Sequence, residues 1–161
     1  MNEITEKLLK RCVELSKESV ASGNNPFGAL LADSSGNILI ESGNIEVTEK
    51  DITGHAETTV AKYAGKKFSK EFLWNTTLYT TAEPCAMCTG AIYWANIGNI
   101  VYGIDERQLL ELTGSNEKNP TFDLPCRDVI AKGQKEISVV GPVASETLQK
   151  EIIEPHIGFW D

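Results

Sequence analysis

His55, Cys85 and Cys88 are the side chains of this 161-residue chain best suited to hold a metal ion, and Glu57 is the acid beside them. Zinc prefers thiolate and imidazole ligands in a tetrahedral arrangement; a catalytic site takes three and leaves the fourth position to water. Cys85 and Cys88 lie three residues apart at an expected helix start, just after Pro84, so they share one face. The positive end of that helix favours thiolates. Two thiolates and a neutral imidazole leave the site near neutral, yet the ion can still lower the pKa of its water to about 7. Glu57 is two residues from His55. On a regular helix they point to different sides, so both reach one site only where the motif forms the first turn. There Glu57 would accept a proton from the water and deliver protons afterwards, base first and then acid.

Each fragment alone has a plainer reading. A Cys-x-x-Cys pair can be a redox couple or half of a structural zinc site. A structural site takes four protein ligands, so it would need Cys12, Cys126 or His156 as the fourth. A His-x-Glu at a helix start is usually polar surface. The two fragments together, in this order, favour a catalytic metal.

The elements that must position these residues follow from periodicity and punctuation. Residues 3–22 read as an amphipathic helix, with Ile4, Leu8, Cys12, Leu15 and Val20 on one side, ended by Gly23-Asn24-Asn25-Pro26. Apolar runs at 27–32 and 38–40 flank the turn-rich stretch 33–37, a hairpin signal. Residues 43–54 are polar and irregular. A helix starts near His55, buries Val60, Ala61 and Ala64, and is expected to close at Gly65. A strand at 76–81, a helix at 84–95 and a strand at 99–103 follow. Residues 113–127 read as a long loop, of a length that is often functional. A strand at 137–140 and a helix at 145–154 complete the chain. Strands separated by helices after an opening hairpin indicate an α/β fold, a mixed sheet with helices on both faces.

Composition fits one globular domain spanning residues 1–161: 41% hydrophobic and 24% charged. No apolar run approaches the roughly 18 residues of a membrane span, and the N-terminus lacks a signal-peptide pattern, so a cytoplasmic protein is expected. In that setting the four cysteines point to metal or redox chemistry rather than a disulfide framework. A net charge of −8 argues against a nucleic-acid partner, because such binding rests on Lys and Arg contacts to phosphates.

The order H-x-E…P-C-x-x-C is the signature of zinc deaminases, and from Pro26-Phe27-Gly28-Ala29 to the helix after Cys88 the chain resembles the cytidine deaminase superfamily. Within it the chain is similar to bacterial guanine deaminases and related small nucleobase deaminases. Glu83-Pro84-Cys85-Ala86-Met87-Cys88-Thr89-Gly90-Ala91-Ile92-Tyr93-Trp94-Ala95 carries most of that likeness. The resemblance implies a three-layer α/β/α sandwich with a five-stranded mixed sheet, a zinc cofactor, and hydrolytic removal of an exocyclic amino group from a small nucleobase. It also implies a homodimer or larger assembly.

For individual residues, the resemblance makes Trp94 a base contact and Asn44, eleven residues before His55, a hydrogen-bonding partner of the substrate. Phe27 becomes an aromatic of the pocket wall, Ala56 a further contact, and Trp160 or Phe159 a lid, sometimes over the partner's site. The plainer alternatives are a turn-capping Asn44, a core Phe27 and a Trp160 packed on the sheet. The chain departs from guanine deaminases at residues 105–114, which lack a Gly-Phe-Asp-Asp-like segment, and 113–127 reads as a different specificity loop. Guanine to xanthine is the first reaction expected. Cytosine, pterin or triazine bases, a tRNA adenosine and a non-catalytic zinc module are the alternatives.

Overall fold

Neighbouring residues of a strand face opposite sides of its sheet. In β1 (Gly28–Ala32) both sides are buried: Leu30 and Ala32 join one core, Ala29 and Leu31 the other. This central strand therefore needs helices on both faces. The computed structural model, which describes residues 2–114, 117–143 and 145–161, supplies them. Ser115 and Asn116, inside the expected 113–127 loop, lie outside the described residues.

The sheet has five strands in the order β2-β1-β3-β4-β5, with β2 (Ile38–Gly43), β3 (Thr77–Ala82), β4 (Asn99–Ile104) and β5 (Ser138–Val140). β1 pairs antiparallel with β2 and β3, while β3–β4 and β4–β5 are parallel. On one face pack α1 (Glu3–Ala21), α5 (Glu106–Thr113) and α7 (Glu146–Ile153), through Leu8, Leu9, Leu109, Leu148 and Ile152. On the other pack α2 (Ala56–Lys67), α4 (Ala86–Ala95) and α6 (Cys126–Ala131), through Val60, Ala64, Ile92 and Ile130. The expected mixed five-stranded α/β/α sandwich is the observed fold. No helix among the described residues is long and apolar enough to cross a membrane.

Three local readings differ. Gly65 does not close α2, which continues to Lys67 and ends at Phe68; a single glycine costs a helix only about 1 kcal/mol, too little to stop it. A five-residue helix, α3 (Lys70–Trp74), capped by Ser69, is too short to show a period in sequence. The expected 113–127 loop gives up both ends: Thr113 closes α5, whose start is marked by a capping box of Asp105 and Gln108, and Cys126 and Arg127 open α6.

The crossovers decide where chemistry can occur. β3 and β4 run parallel, so Glu83-Pro84-Cys85 and Asp105-Glu106 leave the sheet at the same edge. Ligands of open α/β sheets bind outside the carboxyl ends of such strands.

Candidate active site

His55 is not in a helix but caps one. Its backbone is extended (φ −67°, ψ 148°), and α2 starts at the next residue. That places Glu57 in the first turn, buried, and lets both side chains reach one point, the condition set by their spacing. Cys85 is likewise the N-cap of α4 (φ −68°, ψ 176°), with Cys88 one turn inside. The two helix starts meet. His55 Nδ1 lies 3.6 Å from Cys85 Sγ and 3.4 Å from Cys88 Sγ, and the three donor atoms fall within 4.8 Å of one another.

These distances fit zinc. Bonds of about 2.3 Å to sulfur and 2.0–2.1 Å to nitrogen, at a tetrahedral angle, separate S from N by about 3.5 Å. The donor set is the soft one zinc selects, and two helix N-termini favour the thiolate charge. Within the cysteine pair, hydrogen bonds from Cys88 and then His55 outweigh burial and pull Cys85 down to about 4. Cys88 is pushed up as its partner, and Thr58 Oγ1 donates to its sulfur at 3.1 Å. Burial raises the Glu57 carboxyl to about 7; His55 opposes this and Cys85 adds to it. A carboxyl poised there can both accept and return a proton near neutral pH.

His55, Glu57 and Cys85 line a cavity of about 320 Å³. Asn44 and Phe27, both expected in the site, line it too. Three other expected contacts do not. Ala56 is fully buried at the first position of α2 and packs into the core. Trp94 is 73% exposed and stands edge-on to Tyr93. The inward face of α4 is Cys88, Thr89 and Ile92, and a residue two further on lies about 200° around the helix. Trp160 is 4% exposed; its Nε1 donates to His156 Nδ1 at 3.1 Å, and its ring lies 6.3 Å from that of Phe27. It backs the Phe27 wall instead of facing the cavity. Phe159 packs edge-on against Trp160 and is likewise absent from the lining.

Several cavity residues carried no signal in sequence. Glu83 is buried, and its carboxylate accepts the Glu106 N–H at 3.0 Å and the Cys126 N–H at 2.7 Å. One carboxylate thus serves the first residues of α5 and α6, where helices leave N–H groups unpaired. Glu106 is also buried; its Oε2 accepts the Leu124 N–H at 3.0 Å, while its Oε1 has no partner among the described residues. Burial, reinforced by Glu83 and Cys85 but opposed by the Leu124 N–H, pushes this carboxyl to about 8. The Leu124 bond holds the preceding segment, whose Lys118, Asn119, Thr121 and Phe122 line the cavity. The length of the 113–127 loop was the only sequence hint of this wall. Glu46, two residues after Asn44, also lines the cavity and contacts His55.

Comparisons with known proteins agree with this geometry. Residues 2–104 match the family model for the cytidine and deoxycytidylate deaminase zinc-binding region. A probable cytosine deaminase of Schizosaccharomyces pombe is 35% identical over 162 residues, covering 99% of this chain and 96% of that protein. A tRNA-specific adenosine deaminase of Haemophilus influenzae is 37% identical over 105 residues, covering 65% of this chain and 61% of its own. A guanine deaminase of Bacillus subtilis is 40% identical over 107 residues, covering 66% and 68%. Among solved structures, guanine deaminase from Nitrosomonas europaea superposes with a TM-score of 0.75 at 22% identity, covering 94% of this chain and 84% of that one, a likeness of fold.

Proposed function

Since this chain belongs to the family of cytidine and deoxycytidylate deaminase zinc-binding domains, we propose that it hydrolyses the exocyclic amino group of a small free nucleobase, with guanine as the first substrate to test. The observation that carries this reading is the clustering of the His55, Cys85 and Cys88 donor atoms at a cavity that the buried acid Glu57 also lines. His55, Cys85 and Cys88 would hold the zinc. When bound, zinc lowers the pKa of a water ligand to about 7 and so supplies the nucleophile at neutral pH.

The chain's own residues do the rest. Phe27, Leu109 and Phe122 offer apolar surface to a ring, and Asn44 offers an amide to its polar edge. Glu57 accepts the proton of the attacking water and passes it to a ring nitrogen. As the tetrahedral carbon collapses, Glu57 moves the second proton to the leaving amine. The C–N bond breaks, a carbonyl forms and ammonia departs. Burial of Glu57 matches its carboxyl to both transfers.

The charges around the site support a free base over a nucleotide or RNA. Glu46 and Glu83 line the cavity beside Lys118, and the whole chain carries −8. Such a field disfavours phosphate. A cytosine-type base is the second reading. The S. pombe relative aligns through the 113–127 loop and the tail, and Trp94, which pointed to guanine, faces away from this cavity. The reading includes a cytoplasmic enzyme, in keeping with four unpaired cysteines, and a homodimer, in which a second copy could cover exposed Tyr63 and Trp94.

The test is ammonia release by zinc-loaded protein from guanine, cytosine, adenine, their nucleosides, pterins, s-triazines and a tRNA anticodon stem-loop. Turnover of a free base supports the reading and fixes the substrate. Turnover confined to the stem-loop contradicts it.

A further inference from the structure

The far side of the His55 ring is occupied. Nδ1 faces the two cysteine sulfurs, and Nε2 lies 3.4 Å from Glu46 Oε1. A neutral imidazole carries one N–H, and a carboxylate beside Nε2 favours the proton there. That leaves the Nδ1 lone pair directed at the metal position. Metal-bound histidines commonly rely on such a carboxylate to fix tautomer and ring orientation.

The same oxygen does a second job. Asn44 Nδ2 donates to Glu46 Oε1 at 2.7 Å, and Asn25 Nδ2 reaches it at 3.5 Å. The other end of the Asn44 amide, Oδ1, accepts the backbone N–H of Glu46 at 3.0 Å. Flipping this amide would set its oxygen against the carboxylate and its NH₂ against an N–H. Glu46 therefore decides which way Asn44 points. One Nδ2 hydrogen is committed to Glu46, and the other remains to donate to a ring acceptor.

We infer that Glu46 is a positioning residue that couples the two halves of the site, holding the His55 ring for zinc and the Asn44 amide for the base through a single carboxylate oxygen. This rests on the zinc-deaminase reading of the cavity. The loop that carries Glu46 is closed by backbone bonds, Ile45 N–H to Gly54 O and Asp51 N–H to Glu46 O, which do not use the side chain. Removing the carboxylate should therefore leave the fold in place.

The experiment measures zinc affinity by competition with a chromophoric chelator for wild type, Glu46→Ala and Glu46→Gln, with the visible spectrum of each cobalt-substituted protein. Glu46→Ala is expected to bind zinc about 10- to 100-fold more weakly, with shifted cobalt bands, while melting within a few degrees of wild type. Glu46→Gln, which keeps an acceptor oxygen, recovers most of the affinity. On the substrate found above, Glu46→Ala at saturating zinc shows a raised KM, because Asn44 has lost its orientation. A Glu46→Ala protein with wild-type zinc affinity, cobalt spectrum and KM would overturn the inference while leaving the zinc site intact. Wild type that binds no zinc would instead overturn the reading of the site itself.

Discussion

The Glu83 carboxylate accepts the backbone N–H of Cys126 at 2.7 Å. Through this bond the turn that carries Cys85 is tied to the start of α6, and through the second oxygen to the start of α5. Both N–H groups belong to buried residues, so removing the acceptor leaves two orphaned donors. Glu83→Ala should cost roughly 1–3 kcal/mol for each. Glu83→Gln, with one acceptor oxygen, should lose about half as much. Urea unfolding of the three proteins checks this; equal midpoints would show that the bonds contribute nothing.

His156 makes stability depend on pH. It is buried under Trp160, and desolvation lowers its pKa from 6.5 to about 4. The unfolded chain therefore binds more protons than the folded one between those values. Stability is retained above about pH 6.5 and falls as the pH drops toward 4. At pH 5 the loss from this residue alone is about 2 kcal/mol. The difference in unfolding free energy between pH 7.5 and pH 5 should shrink by about that much in His156→Gln. An identical pH dependence in the two proteins would refute the assignment.

Gly28 lets α1 lie close on β1. A methyl group there would stand 2.2 Å from the Cys12 carbonyl oxygen and 2.8 Å from Leu15 Cβ. The first contact is with backbone and cannot swing aside. Gly28→Ala should destabilise by at least about 1–3 kcal/mol, the usual cost of overpacking, and should disturb neighbouring Phe27 at the cavity wall. Thermal unfolding reads the first effect and KM the second.

What sequence could tell about this molecule follows the distance over which each signal acts. The zinc ligands were legible because each sits at a helix start, in a short motif whose geometry is local. The sheet was legible because strand and helix periods alternate cleanly. Glu46, Glu83 and Glu106 were not, since an acid in a loop has no pattern until the fold brings it to its partner. Glu83 meets Cys126 across 43 residues. Trp94 was expected in the site from a resemblance alone, and the turn of α4 sends its ring outward, away from this cavity. For Trp160 the sequence leaves lid and packing open, and the fold packs it behind Phe27 with its indole N–H on buried His156.

The most direct test follows ammonia release from one active base by a single preparation stripped of zinc with a chelator, then reloaded, beside a zinc-loaded Glu57→Gln protein. Activity should vanish on stripping and return with about one zinc per chain. Glu57→Gln should hold the same zinc and turn over about 10²- to 10⁴-fold more slowly. Full activity in the stripped protein, or in zinc-loaded Glu57→Gln, would contradict a zinc hydrolase that moves its protons through Glu57.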